Sequence, residues 1–222
     1  MSRLGDLRKL YKLIDRLEIN TCGSRKLEDC DPSTDRSDGG VYFFFEKGEM
    51  REKSGKGNRV VRVGICDSYR KRISGDHKGN PDRPLKGSNF RKWVANALFI
   101  KYRHTEFSEW PDITEMNFKD MPAALNFEQR HHLDCMIREH MYPMCLLFVP
   151  IGCKSCQKYI ERNAVGLLSE CRESSPIDPK SKRWLGKHSR SGKIRESGLW
   201  NSHFVTGGYE HGFLDRLKRY VD

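Results

Sequence analysis

Apolar residues recur along this chain with two periods, and the change of period marks out its elements. Leu4, Leu7, Leu10, Tyr11, Ile14 and Leu17 fall three and four residues apart with charged residues between them. That spacing predicts an amphipathic helix, with Asn20 and Gly23 as its stop signals. Cys22 to Gly39 is rich in Asp, Ser and Gly and is expected to be loop. Two short apolar runs follow, Gly40 to Phe45 and Val60 to Ile65, each bounded by glycine and separated by the polar, glycine-rich segment Lys47 to Asn58. This pattern predicts a β-hairpin. A period of two puts Tyr42, Phe44 and Glu46 on one face of the first strand, and Val60, Arg62 and Gly64 on one face of the second.

Beyond the hairpin, Asp67 or Ser68 is placed to cap a short helix through Ser74 that Gly75 ends, leaving Asp76 to Gly79 in a loop. Residues 79–87 are loop by composition. Ser88 caps a helix from Asn89 to Tyr102 whose stripe is Phe90, Trp93, Val94, Ala97 and Leu98, with Arg91 and Lys92 expected on its exposed side. Pro111 and Pro122 punctuate a broken stretch, after which a helix is expected from Ala123 to Met141. Met144 to Pro150 is apolar on both faces, as a strand covered on both sides would be. A helix from Gln157 to Cys171 and a last amphipathic helix carrying Phe213, Leu214, Leu217, Tyr220 and Val221 complete the pattern. The expected fold is α+β, a small three-stranded antiparallel sheet flanked by helices. The chain divides into an N-terminal helix and loop (1–37), a core (38–171) and a basic C-terminal extension packed on it (172–222).

Charge adds a direction to this layout. The formal net charge is +11, and it is unevenly placed. Residues 51–103 hold fifteen Lys/Arg against four Asp/Glu, and residues 178–195 hold seven against one, whereas residues 104–150 hold three against eight. Two basic blocks and an acidic one suggest a polyanion-binding face with an opposite back. No run is long and apolar enough to cross a bilayer, and the N-terminus lacks the apolar region of a secretory signal. The expectation is a cytoplasmic protein whose eight cysteines are reduced thiols. Cys153 and Cys156 have half of a zinc-knuckle spacing without a second pair, and His131, His132 and Cys135 form an incomplete metal set.

Gly40-Val41-Tyr42, then Arg62-Val63-Gly64, then Arg72 and His77 on a basic segment, then Glu161 on a later helix form an ordered set. In order and spacing the set resembles the GIY-YIG nuclease superfamily over residues 38–170. The resemblance implies hydrolysis of DNA phosphodiester bonds with one Mg²⁺ or Mn²⁺ ion per site. Tyr42 falls on the first motif tyrosine, which takes a proton from water. Arg72 matches the arginine that contacts the scissile phosphate, and Glu161 matches the metal ligand. His77 corresponds to the family's histidine or tyrosine, but at five residues from Arg72 instead of four. Asn201 is the candidate for a late asparagine, with Asn163 as an alternative.

The sequence departs from the family at the second motif tyrosine, where Arg62 stands. Arg62 would either stabilise the Tyr42 phenolate or bind the scissile phosphate. The resemblance further implies double-stranded DNA as partner, contacted by Lys71, Lys78, Asn89, Arg91 and Lys92, and by Lys182, Arg183, Lys187, Arg190, Lys193 and Arg195. No separate DNA-reading module is evident, which resembles stand-alone restriction endonucleases of the family and favours a homodimer. The alternatives are a repair or mobile-element nuclease, or a degenerate nucleic-acid-binding protein without activity.

Overall fold

A computed structural model describes residues 2–36, 38–80, 87–116 and 120–222. Residues 81–86 of the expected 79–87 loop, and 117–119 of the broken stretch, lie outside the described residues. Helix α1 (Arg3–Asn20) comes first, its N-terminus capped by Ser2. The two-residue strand β1 (Arg25–Lys26) follows, then β2 (Gly40–Met50) and β3 (Asn58–Cys66). A π-helix (Arg70–His77) precedes the undescribed residues, and α2 (Asn89–Lys101) follows them. After the short α3 (Met121–Ala124) come α4 (Phe127–Met141), β4 (Cys145–Pro150) and α5 (Lys154–Leu168). The basic tail holds α6 (Gly192–Ser197) and α7 (Phe213–Val221).

The four strands lie in the order β1-β4-β2-β3, every pair antiparallel. β2 is central, so its first six residues have strands on both edges and helices on both faces, and all six are buried. Alternation sorts them. Val41, Phe43 and Phe45 join Leu147 and Val149 of β4 in a core with α1, α5 and α7. Tyr42 and Phe44 join Leu146 and Phe148 in a second core with α2, α4, Trp184 and Trp200. Two hydrophobic layers on a sheet one strand thick give the α+β architecture.

Several expectations change. The sheet has four strands, because Arg25–Lys26 inside the expected Cys22–Gly39 loop pairs with Leu146 and Cys145. Two exposed charged residues carry no periodicity, and such short charged strands blunt sheet edges. Val60 does not share a face with Arg62. Phe44 pairs with Arg62 and Phe45 with Val60, so Val61 is an extra bulged residue and Val60 turns to the α1 side. The expected helix from Ala123 is broken at Leu125, which is extended, and α4 restarts at a capping box of Asn126 and Gln129. α5 begins three residues before its expected start, with Cys153 as its N-cap.

Candidate active site

The site begins with two glycines that leave room for aromatic rings. Tyr42 lies opposite Gly64 on β3, and a Cβ at Gly64 would stand 2.3 Å from the Tyr42 hydroxyl. Only glycine lets the phenol lie flat over β3 at this register. At Gly40 a Cβ would come within 2.2 Å of the Val149 carbonyl, so β2 and β4 approach there only without a side chain. Tyr42 itself is buried at 2% exposure.

The next element supplies the phenol's partner. The segment expected to stop at Gly75 continues as the π-helix through His77. The Lys78 amide donates to the Ile73 carbonyl, five residues back, at 3.0 Å. A wider turn brings residues five apart onto one face, so the Arg72-to-His77 spacing keeps both residues on the side facing β2. Gly75 offers no obstacle, since a Cβ there would meet nothing closer than 3.6 Å. His77 is buried, and its Nε2 lies 2.9 Å from the Tyr42 hydroxyl oxygen.

Ser88 closes the chain of contacts. Its Oγ caps α2 by accepting from the Arg91 amide at 3.2 Å and lies 2.6 Å from His77 Nδ1. With the neutral phenol, Tyr42 O–H can donate to Nε2 and Nδ1–H to Ser88 Oγ; with a phenolate, the other tautomer lets Ser88 donate to Nδ1 and Nε2–H donate to the Tyr42 oxygen. Burial first, then the charges of Arg62, Arg72 and Arg91, hold the imidazole well below its ordinary value. His77 is therefore neutral at physiological pH and bridges the Tyr42 and Ser88 hydroxyls through its two ring nitrogens, and it is not a proton store.

Three further charged residues act on the same phenol from three elements. Burial pushes Tyr42 above its ordinary value, Arg62 and then Arg72 pull it back, and Glu161 opposes them. Arg62 lies over the Phe90 ring at 4.8 Å and donates through Nη1 to the Trp200 carbonyl at 2.5 Å, while its buried Nε has no partner among the described residues. Arg72 is half-exposed and paired with Asp76 at 3.0 Å. Glu161, on the second turn of α5, makes no hydrogen bond or ion pair among the described residues. Burial raises its carboxyl above the usual range, against the pull of Arg62 and Lys154.

The family model for the GIY-YIG domain matches residues 1–222, the whole chain. This protein belongs to the GIY-YIG nuclease superfamily. No curated protein and no solved structure matches it.

Not every expected residue of this GIY-YIG nuclease joins the cluster. Asn201 is buried beside β3, where Oδ1 accepts from the Val63 amide at 3.1 Å and Nδ2 donates to the Val63 carbonyl at 2.8 Å. With the Trp200 amide donating to Val61 at 2.7 Å, the tail seals the free edge of β3. Asn163 is spent likewise on Tyr159 and Glu210. Arg91 is not on the exposed side of α2: it is buried at 1%, paired with Asp134, and donates to the carbonyls of His77 and Lys78. It braces the π-helix instead of facing solvent.

Of the other basic candidates, Lys71, Lys182, Arg183, Lys187, Lys193 and Arg195 are exposed, as is Asn89, and Lys92 is half-buried. Lys78 donates to the carbonyls of Glu28 and Cys30, and Arg195 to those of Ser189 and Arg190. Arg190 donates to Thr114 at 3.1 Å. These three hold irregular backbone together. Among the described residues no three His, Cys, Asp or Glu are grouped to hold a metal. The sequence did not point to Ser88 as a histidine partner; its capping position was visible, but the contact to His77 is tertiary. Asp134, too, lacked any signal beyond a charge on a helix.

Proposed function

We propose that this chain is a metal-dependent DNA endonuclease whose site is Tyr42, Arg62, Arg72, His77 and Glu161. The observation that carries the proposal is the buried Tyr42–His77 hydrogen bond at 2.9 Å with two arginines and a glutamate acting on the same phenol. Glu161 suits a hard divalent cation such as Mg²⁺ or Mn²⁺, since its carboxylate has no protein partner among the described residues and a single carboxylate plus waters is an ordinary Mg²⁺ shell. Bound there, the ion would supply charge neutralisation on the phosphate and its leaving oxygen.

The chain's own groups divide the remaining work. Tyr42 as phenolate accepts the proton of the attacking water, and His77 Nε2–H fixes the direction of the oxygen's free lone pairs. Arg62, with an unpaired Nε, and half-exposed Arg72 hold non-bridging oxygens of the scissile phosphate. Arg62 thus does what a second motif tyrosine cannot: it lowers the cost of the phenolate and of the transition state with one fixed charge. Double-stranded DNA would run over the exposed lysines and arginines of the two basic blocks, and cutting both strands favours a homodimer. Both basic blocks lie within the residues matched by the GIY-YIG model, and this supports a reading in which recognition is built onto the nuclease fold, in the manner of a restriction-like enzyme.

A supercoiled plasmid incubated with Mg²⁺ or Mn²⁺ tests the proposal. Nicking should require the metal, stop with EDTA, and fall at least about a hundredfold in Glu161→Ala and Tyr42→Phe. DNA binding by Glu161→Ala should survive. Binding by the wild type without cleavage under either metal would leave a nucleic-acid-binding protein with a silent site.

A further inference from the structure

The nuclease site does not use the start of α5. Cys153 is the N-cap of that helix and is exposed, and Cys156, in the first turn, is buried. Cys156 follows Cys153 by three residues on the same turn, and the Ser155 hydroxyl lies 3.1 Å from the Cys153 sulfur. From α7, Arg216 donates to the Cys156 sulfur at 3.6 Å. An exposed thiol at a helix N-terminus, a second, buried thiol three residues on, and a guanidinium on the second sulfur are the parts of a dithiol exchange centre. A zinc site would need further ligands, and none is grouped with them among the described residues.

We propose that Cys153 and Cys156 form a redox-active dithiol that exchanges with low-molecular-weight disulfides. The Cys153 thiolate attacks one sulfur of the disulfide R–S–S–R, forming Cys153–S–S–R and releasing one thiolate. The Cys156 sulfur, as thiolate and held by the Arg216 contact, then attacks the Cys153 sulfur, closing the Cys153–Cys156 bond and releasing the second thiolate. Two cysteine thiols are oxidised to one disulfide, the small disulfide is reduced to two thiols, and the two cysteine protons end on those thiols. The attacking order follows exposure.

The electrostatics agree with the geometry. The hydrogen bonds from Cys156 and Ser155 lower the Cys153 thiol to about 7. At neutral pH about half of it is thiolate, against a few per cent for an ordinary thiol of about 8.5. The weaker base is also a weaker nucleophile, which leaves a net advantage of about threefold.

The test uses the full chain, reduced, freed of reductant and exposed to oxidised glutathione, then quenched by alkylation and mapped by peptide mass. The wild type should lose two hydrogens in the peptide holding Cys153 and Cys156. Cys156→Ser should instead retain one glutathione on Cys153, and Arg216→Gln should accumulate the same adduct transiently. Serine is itself a good N-cap, so Cys153→Ser should fold and form no bridge. A stable glutathione adduct on Cys153 in the wild type would overturn the proposal, as would equal reaction rates at the exposed Cys22 and Cys135. Neither readout depends on DNA cleavage, so this site and the nuclease reading stand or fall separately.

Discussion

Each residue around Tyr42 has a neighbour that explains it. Gly64 is there because the phenol occupies the space of a side chain, with a Cβ only 2.3 Å from its hydroxyl. Gly64→Ala should therefore cost about 1–3 kcal/mol or more in urea unfolding. Adding Tyr42→Ala should recover part of that loss, because the clash and the ring disappear together. Ser88→Ala removes both the cap of α2 and the partner of His77 Nδ1. It should cost about 1 kcal/mol in stability and slow cleavage about tenfold, the equivalent of one hydrogen bond to the developing phenolate. Ser88→Thr should restore both. A merely structural role for Ser88 would leave the pH–rate profile unmoved, whereas loss of the Nε2–H contact should shift its basic arm upward.

At the level of elements the π-helix matters most. Its wide turn absorbs the one extra residue between Arg72 and His77 and so keeps both at the phenol. If Gly75 were a helix stop, alanine there would be destabilising. Within a helix and with its nearest obstacle at 3.6 Å, Gly75→Ala should instead stabilise by about 0.5–1 kcal/mol. Thermal unfolding measures the sign. Arg91 links this element to the next pair of helices. It is buried against Asp134 and reaches the carbonyls at the end of the π-helix. Asp134→Ala should destabilise by about 3–5 kcal/mol, since it leaves a buried guanidinium uncompensated.

For the whole molecule, pH acts through groups that burial has shifted. His77 is held neutral in the fold, while in the unfolded chain it takes a proton below its ordinary value of 6.5. Its contribution to stability is intact above that pH. It is lost as the pH falls from there toward the depressed folded value, at about 1.4 kcal/mol for each unit. His77→Gln should flatten the acid side of a stability–pH curve relative to the wild type. Cleavage should respond to two other groups. It should rise about tenfold per pH unit on the alkaline side, because Tyr42 is a raised phenol. Mg²⁺ affinity should begin to weaken in acid at a higher pH than an ordinary glutamate would dictate, because protons compete with the ion for the metal-free Glu161 carboxyl, which burial raises. The net charge of +11 predicts DNA affinity that falls steeply with salt, checked by anisotropy at two ionic strengths.

The chain's own periodicity determined the hairpin, the helices α1, α2, α5 and α7 and the buried strand β4, while the order and spacing of the motif residues carried the resemblance to the family. These are local facts: side-chain spacing records which face of an element is buried, and glycine beside an aromatic records a close approach. The fourth strand, the π-turn, the bulge at Val61 and the break at Leu125 were decided only in the tertiary structure. Each depends on a hydrogen bond to a distant partner or on an extra residue that packing, not propensity, accommodates. The same holds for polar residues. Sequence marks Arg91, Asn201 and Arg62 alike as polar, but only the fold commits Arg91 to Asp134 and Asn201 to the edge of β3. It leaves Arg62 with an unpaired Nε beside the phenol, because where a charge ends depends on what packs around it.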